Sequence, residues 1–260
     1  MNQLNNISTP KGRKVFSRRI LFFSFFVLAV IALALGLWLK RTMDQEIRQD
    51  NIEKEITTEK EKTGVRKLHK KYKDMIGWLE IKGTGFSYPV MQTGMKGHHP
   101  DDWQYYLHRD VHGGYSFYGT PFMDVRCRAD SDNRIIYGHN MNSGAMFGNL
   151  DLYADETYYQ EHPFAYLQTE DSIQEYRIVT VLKADRNLFP FQQKLPDVAA
   201  VQEYLKAAKQ REVFETGDDY LKCIYDKVLT LVTCSYEWSG ARNIVLAVPV
   251  SGAVWSQKCS

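Results

Sequence analysis

The chain has 260 residues, 44% of them hydrophobic, which is enough for one sizeable globular domain with accessory segments. Its formal net charge of +2 gives no electrostatic indication of a nucleic-acid partner. The four cysteines include no CxxC pair, which disfavours a disulfide scaffold, a zinc motif and a dithiol redox motif. The sequence also contains no Gly-rich phosphate loop and no acidic cluster typical of a calcium site, so we expect no cofactor and no metal.

The first segment with a clear structural pattern is an unbroken apolar run over residues 20–39. Its length matches the roughly 20 residues that a helix needs to cross a bilayer. A cleaved signal peptide has the same basic-then-apolar order, but this run is long and ends at Leu39-Lys40 without a small-x-small cleavage site. We therefore expect an uncleaved, single-pass anchor. The basic residues before it place residues 1–19 in the cytoplasm and everything after Lys40 outside the cell.

The next segment, residues 40–73, is dense in Glu, Lys and Arg and contains no proline. Many of its charges stand three or four residues apart, as do Glu59 and Lys62, which is the spacing of neighbours on a helix surface. The pattern predicts a solvated, extracellular helical spacer. We place the start of the main domain at residue 74, so that this domain covers residues 74–260.

From residue 74 the pattern is one of short β-branched and aromatic runs separated by turn residues. We predict strands over residues 76–81, 86–91, 115–124, 133–138, 165–167, 173–183, 225–234 and 243–250. Asp197 is a good N-cap for a helix that reaches about Gln210, with Val198, Val201 and Leu205 at helical spacing on its apolar face. Many short strands and few helices indicate a β-barrel or a sandwich. In the loop before the third strand we expect the core anchors to be Trp103, Tyr105, Tyr106 and Leu107.

The most informative stretch is Thr230-Leu231-Val232-Thr233-Cys234, an apolar strand that ends on a cysteine. A cysteine inside a strand is by default a small hydrophobe, and this is our interpretation of Cys127 and Cys223. Cys234 differs because a polar loop, residues 235–240, follows it directly, so that its thiol can face solvent and act as a nucleophile. The next strand places Arg242 across the hairpin from Cys234, where a guanidinium would lower the thiol pKa or bind an oxyanion; the alternative is a surface arginine.

A cysteine nucleophile needs a base, and His139 is the best candidate. It follows a compact apolar strand and precedes a Gly-bearing loop, whereas the other histidines lie in charged or loop segments: His69, His98, His99, His108, His112 and His162. A histidine satisfied within a turn is the alternative interpretation of His139. The order of histidine before cysteine disfavours the papain arrangement, in which the cysteine comes first.

These residues resemble the sortase family. The stretch that ends at Cys234 matches the family's TLxTC signature, Arg242 stands where the family arginine follows, and Tyr137-Gly138-His139-Asn140 resembles the segment that holds the family histidine. Residues 74–250 further resemble class B sortases, in Gly77-Trp78, Tyr88-Pro89-Val90, Tyr105-Tyr106-Leu107 and the helix that follows Asp197.

The resemblance implies a mainly β fold, a closed eight-stranded sortase-type β-barrel with N-terminal helices and a helix between the late strands, preceded by one transmembrane helix. It implies a cysteine transpeptidase in which Cys234 attacks the carbonyl of a threonine in a C-terminal sorting signal and forms a thioester. His139 would exchange protons with the leaving and incoming amines, and Arg242 would bind the oxyanion. Tyr137 and Thr233, which flank these residues, are the expected substrate-binding residues. Asp124, Asp132 and Glu237 each remain open as the acid that would orient His139.

The partners implied by the resemblance are secreted proteins that carry a sorting signal, and an amine of the cell-wall precursor that accepts them. Two alternatives stay open: within the family, a class B pilus enzyme whose acceptor is a pilin lysine; and, outside it, a non-catalytic, membrane-tethered binding domain in which Cys234 has no catalytic role. A thiol oxidoreductase is a weaker third hypothesis because no second cysteine lies near Cys234 in sequence.

Overall fold

The computed structural model describes residues 13–94, 102–128, 130–185, 187, 189, 191–217, 219–235 and 237–250. The helices are α1 Arg13–Thr63, α2 Val65–Lys71, α3 Glu156–Glu161 and α4 Val198–Lys209. The strands are β1 Met75–Ile81, β2 Phe86–Met91, β3 Phe122–Met123, β4 Asn133–Tyr137, β5 Phe164–Gln168, β6 Ile173–Asp185, β7 Val228–Cys234 and β8 Ala241–Pro249. Short 3₁₀ turns occur at Tyr105–His108, Gly148–Ala154 and Asp219–Lys222.

Helix α1 contains the whole apolar run over residues 20–39. From Ile20 to Thr63 it is long and apolar enough to cross a membrane, a test of length and composition that a signal sequence near the N-terminus also passes. The chain forms two compact units, one that reaches Asp50 and one that begins at Asn51. The second unit therefore includes the last turns of α1 together with α2 and all eight strands.

The eight strands close into a barrel in the order β1-β2-β3-β4-β7-β8-β6-β5, as expected. Two pairs are parallel, β2 with β3 and β4 with β7, and the other pairs are antiparallel. Helix α4 lies in the connection between β6 and β7, so the predicted helix between the late strands is also confirmed. Its N-cap is Asp197, whose carboxylate accepts a hydrogen bond from the amide of Ala200.

The late strands are buried on both faces, which explains why they read as continuous apolar runs instead of alternating ones. Every residue of β7 before Cys234 is buried. One face of β7 points into the barrel, and on the other side the buried side chains of α4 cover the sheet. The hydroxyls of Tyr204 in α4 and Thr230 in β7 are 3.3 Å apart. Val201 and Leu205 are completely buried, as their helical spacing predicted, but the same prediction is wrong for Val198, which lies in the first turn and is 39% exposed.

Within the second unit, the end of α1 and helix α2 pack on the outside of the barrel. Ile56, Val65 and Leu68 join a cluster of buried side chains that also contains Trp78 of β1. The ammonium of Lys60 lies 4.5 Å from the centre of the Trp78 ring, a cation–π contact. Ile56, Val65 and Leu68 therefore attach the end of α1 and helix α2 to the barrel.

The predicted strand over residues 115–124 is wrong in length, because β3 covers Phe122 and Met123 alone. The preceding residues pair with the 3₁₀ turn Tyr105–His108 instead: the amide of Ser116 donates to the carbonyl of His108, and the amide of Thr120 to that of Tyr106. Gly119 has a φ of 63°, a left-handed conformation that ends any extended run there.

The packing of α4 gives a testable expectation. Replacing Leu205, which is fully buried, with alanine should cost about 2–5 kcal/mol of unfolding free energy, because the cavity does not close completely. The matched control is Val198→Ala on the same helix, where the side chain is 39% exposed and the cost should stay within about 0.5 kcal/mol. Urea unfolding followed by tryptophan fluorescence measures both, and equal costs would contradict the packing of α4 on the sheet.

Candidate active site

The strand register brings His139, Cys234 and Arg242 to one end of the barrel. Strands β4 and β7 are parallel, with Tyr137 opposite Val232, so their carboxyl ends lie at the same edge of the sheet. Cys234 is the last residue of β7, and His139 follows β4 by two residues. Across the antiparallel β7–β8 hairpin, Arg242 is the direct register partner of Cys234.

His139 has a defined tautomer. Its Nε2 lies 2.7 Å from the backbone carbonyl oxygen of Leu107. A carbonyl oxygen can accept a hydrogen bond but cannot donate one, so Nε2 carries the hydrogen in the neutral ring. Nδ1 is then the nitrogen that has a lone pair and can take up a proton. The hydrogen bond also holds the ring plane in place.

The environment of His139 favours the neutral imidazole. Burial lowers the pKa of His139, and the nearby ring of His108, whose centre is 5.3 Å away, acts in the same direction. The Leu107 carbonyl opposes both effects because it stabilises the charged ring. The net result is a pKa below the ordinary value of 6.5, so His139 is largely neutral at neutral pH.

Asp124, one of the three acids proposed to orient His139, has other partners. It is buried and accepts two hydrogen bonds from the guanidinium of Arg126, at 2.9 and 2.7 Å. It also accepts one at 3.1 Å from the hydroxyl of Tyr137. Although burial acts to raise the pKa of Asp124, these hydrogen bonds outweigh it and hold the pKa below its usual value. Asp124 therefore fixes Tyr137 in place.

The other two acids also have partners elsewhere. Asp132 accepts a hydrogen bond from the amide of Leu195 at 3.1 Å. Glu237 forms an ion pair with Lys183 and accepts a hydrogen bond from the hydroxyl of Ser235 at 3.1 Å. Within the part of the chain that the structure describes, the hydrogen-bond partner of the His139 ring is thus a backbone carbonyl. The sequence does not indicate this partner, because every residue has a backbone carbonyl and the residue type does not show which one contacts His139.

Cys234 and Arg242 are both half-buried, and hydrogen bonds between the ends of β7 and β8 hold the two strands together beside them. The amide of Ser235 donates to the carbonyl of Ala241 at 2.9 Å, and Nη1 of Arg242 donates to the same carbonyl at 2.8 Å. Among the described residues, the other guanidinium nitrogens of Arg242 have no hydrogen-bond acceptor, so they can bind an anion at the strand edge.

The remaining cysteines differ from Cys234 in their surroundings. Cys127 is buried, its thiol donates to the carbonyl of Asn133, and burial raises its pKa to about 11. It is therefore the small hydrophobe that the sequence indicated. The same interpretation is wrong for Cys223, which is disulfide-bonded.

A pocket of about 430 Å³ lies beside Cys234 and Arg242. Its lining is mostly aromatic and aliphatic: Trp103, Leu107, Phe122, Tyr137, Phe191 and Val232, with Gln104, Asn187 and Thr233 as polar members. The expected substrate-binding residues Tyr137 and Thr233 both line it, although the Thr233 hydroxyl is already donated to the carbonyl of Gly138 at 2.8 Å. The pocket therefore offers an extended apolar surface next to a thiol and a guanidinium.

Trp103 lies in this pocket and not in the core. Its side chain is 47% exposed, and its ring meets that of Tyr137 edge-on at a centroid distance of 6.3 Å. The prediction of a core anchor was wrong for Trp103, because an exposed aromatic beside a pocket and a buried one have the same local sequence signal. Among the described residues, no group of three or more His, Cys, Asp or Glu side chains is arranged to hold a metal ion.

Comparison with known proteins decides the family. The model of the sortase domain matches residues 79–250. The chain belongs to the sortase family. A curated relative, sortase B of Listeria monocytogenes, is 31% identical over 175 residues, which are 66% of this chain and 68% of the relative. This relative supports class B, and sortases are cysteine transpeptidases.

Solved structures agree with this assignment. Clostridium perfringens sortase B is 25% identical, with a TM-score of 0.61 over 72% of this chain and 99% of that one. A Staphylococcus aureus sortase B–substrate complex is 24% identical, with a TM-score of 0.65 over 80% of this chain and 99% of that one, and at this identity it supports the fold. The sortase therefore has the closed barrel of the class B enzymes.

The carbonyl that holds His139 gives a second expectation. A Cβ at Gly119 would lie 2.4 Å from the oxygen of Leu107, so Gly119→Ala must displace that carbonyl. Because a misplacement of about 1 Å can cost about 100-fold, we expect transpeptidase activity to fall by about 10- to 100-fold. Gly85→Ala is the matched control, since Gly85 also has a positive φ but no atom within 4 Å of its Cβ. Equal activities of the two variants in a peptide-cleavage assay would contradict the role of the carbonyl.

The lowered pKa of His139 predicts a pH dependence of stability. The unfolded imidazole keeps the ordinary pKa of 6.5, so below this pH the unfolded chain binds more protons than the folded one. The stabilisation is fully present above pH 6.5 and is lost as the pH falls through the folded pKa. Urea unfolding of the wild type and of His139→Gln from pH 8 to pH 5 measures it. As the pH falls, the unfolding free energy of the wild type should decrease relative to that of His139→Gln. A difference between the two that does not change with pH would contradict the lowered pKa.

Proposed function

We propose that this sortase cleaves a C-terminal sorting signal after its threonine and transfers the protein to an amine of the cell-wall precursor. The register that brings Cys234, His139 and Arg242 to one end of the barrel is the observation that carries the proposal. The pocket beside the thiol supplies a surface for the peptide. Tyr137 and Thr233 are the proposed substrate-binding residues, and Cys234, His139 and Arg242 the catalytic ones.

In the first half-reaction, the sulfur of Cys234 forms a bond to the carbonyl carbon of threonine. The developing oxyanion accepts hydrogen bonds from the Arg242 guanidinium, which spreads its negative charge. The C–N bond then breaks, and His139 delivers a proton to the leaving amine. The proton originates from the thiol and reaches the amine by way of the imidazole, so the charges balance. The product is a thioester on Cys234.

In the second half-reaction, an amine attacks the thioester carbonyl. His139 takes the proton from the attacking nitrogen, and Nδ1 is its acceptor because Nε2 is bonded to Leu107. The C–S bond breaks, and the proton returns to the sulfur. The lowered pKa of His139 supports this role, since a neutral imidazole is the form that can act as a base near neutral pH.

The chemistry of the pocket supports a preference within the sorting signal. Val232, at the variable position of the cysteine motif, has no hydrogen-bonding group in its side chain, and Trp103, Leu107 and Phe191 extend the apolar surface. Apolar contact in such a pocket stabilises a bound side chain by about 25 cal/mol per Å² removed from water. We therefore infer that one of the residues before the threonine is apolar.

The proposed arrangement at the membrane follows from the apolar part of α1. Residues 1–19 are the cytoplasmic tail, residues 20–39 the anchor, residues 40–73 an extracellular spacer and residues 74–260 the catalytic domain. The enzyme would then meet its secreted substrate and the cell-wall precursor at the outer face of the membrane. This is the site where both reactants are available.

The decisive experiment uses the full chain in detergent micelles with a library of quenched peptides that contain threonine. We expect cleavage after threonine, a mass adduct on Cys234, and faster cleavage of peptides with an apolar residue before the threonine. Cys234→Ala should reduce the rate by about a thousandfold or more, as loss of a nucleophile does in other enzymes. Cys127→Ala is the matched control, since it removes a thiol that is buried away from the pocket.

Two outcomes would contradict the proposal. Cleavage that survives in Cys234→Ala would exclude the thioester mechanism. Absence of both cleavage and Cys234 labelling by a thiol-reactive vinyl sulfone would favour a membrane-tethered binding domain. Added amines separate the acceptors: transfer to a glycine or diaminopimelate amine supports the cell-wall precursor, and transfer to a peptide lysine supports the pilus enzyme.

A further inference from the structure

The carboxylate of Asp151 joins the three segments that carry the proposed catalytic residues. Its Oδ2 accepts a hydrogen bond at 2.8 Å from Nδ2 of Asn140, the residue after His139. Its Oδ1 accepts one from Nδ2 of Asn243, the residue after Arg242. Nδ2 of Asn140 also donates at 2.7 Å to the backbone carbonyl of Cys234. Asp151 thus contacts the residues next to His139 and Arg242, and it reaches the backbone of Cys234 through Asn140.

The network lies on the side of the sheet opposite to the guanidinium. Successive side chains of a strand point to opposite faces, so Asn243 points away from the face on which Arg242 lies. Asn140 and Asn243 are 5% and 4% exposed, and buried amides of this kind are expected to be hydrogen-bonded. Asp151 is exposed, so water solvates the outer side of its charge and the carboxylate avoids the full cost of burial.

The segment that carries Asp151 is itself held close to the histidine loop. The amide of Phe147 donates to the carbonyl of His139 at 2.9 Å, and Asn140 forms a β-bridge with Met146. Gly148 allows this approach, because a Cβ there would lie 2.2 Å from the carbonyl oxygen of Met141. Asp151 follows on the same 3₁₀ turn, Gly148–Ala154. Its position relative to His139 is therefore set by the backbone.

We propose that Asp151 is a positioning residue for transpeptidation. Through Asn140 it sets the separation of Cys234 and His139, and through Asn243 it sets the position of Arg242 relative to them. This inference rests on the proposed function of those three residues. A carboxylate accepts hydrogen bonds without donating any, so it orients both amides with their NH₂ groups inward. In this orientation Asn140 is able to hold the Cys234 carbonyl.

Two substitutions at Asp151 can distinguish a role of its hydrogen bonds from an effect of its negative charge. Oδ1 of Asn243 is buried and accepts no hydrogen bond from the described residues. In Asp151→Asn, the new amide can accept from Asn140 with its oxygen and donate to Asn243, once the latter amide has rotated by about half a turn. Both links to Asp151 are then kept without the negative charge. Asp151→Ala loses both.

The test measures kcat and KM for peptide cleavage by the full chain in detergent, for the wild type, Asp151→Ala, Asp151→Asn and Leu152→Ala. Leu152 is the matched control because it is exposed on the same turn. We expect Asp151→Ala to lower kcat by about 10- to 100-fold with KM within about twofold, since small displacements of reacting groups cost rate more than binding. Asp151→Asn should recover most of kcat, with the pH profile of the wild type, and Leu152→Ala should match the wild type.

Several results would overturn the inference. If Asp151→Ala keeps the kcat of the wild type, or if Asp151→Asn loses as much kcat as Asp151→Ala, then Asp151 does not act through these amides. A loss of kcat in Asp151→Ala that is matched by loss of folded protein in a thermal unfolding scan assigns it a merely structural role. If the wild type itself neither cleaves peptides nor labels at Cys234, the proposed function fails and this inference fails with it. If the wild type is active and only the Asp151 variants behave otherwise than expected, the inference alone fails.

Discussion

The parallel pairing of β4 with β7 is the constraint on which the site depends. It joins segments far apart in sequence and gives them a common edge, where one strand leads to His139 and the other ends at Cys234. A buried hydrogen bond of 2.7 Å from Thr230 to Asn133 links the two strands inside the fold. A shift of one residue would turn the side chains of β7 to the opposite face and leave this bond unmade, so the register is strongly specified.

A single short turn serves both the histidine and the pocket. The 3₁₀ turn Tyr105–His108 is anchored by the buried Tyr106, whose hydroxyl donates to Asp74 at 3.0 Å. With that anchor in place, the next residue, Leu107, presents its carbonyl to His139 and its side chain to the pocket. Because one backbone segment supplies both contacts, the position of His139 and the shape of the pocket are coupled.

Local patterns predicted most of the elements and failed where tertiary contacts override them. The strands around β1, β2 and β4 to β8 and the helix after Asp197 were predictable, because runs of apolar residues and capping signals depend on neighbours in sequence. The strand over residues 115–124 was predicted too long, since residues 116–120 find partners in the 3₁₀ turn Tyr105–His108 instead of a ladder. Trp103 was assigned to the core because no local signal distinguishes it from a buried aromatic.

The amino-acid sequence was enough to single out Cys234, His139 and Arg242, since each stands at a strand end and within a motif whose spacing is local. Its alternation of strands and turns predicted a β-barrel or a sandwich, and the resemblance to sortases selected the closed barrel. The fold was needed to find the partner of His139 and the carboxylate that links the three segments. Asn140 and the carbonyl of Cys234 are 94 residues apart, and a backbone carbonyl has no identity in the sequence. Such contacts arise from long-range strand pairing, which no local pattern contains.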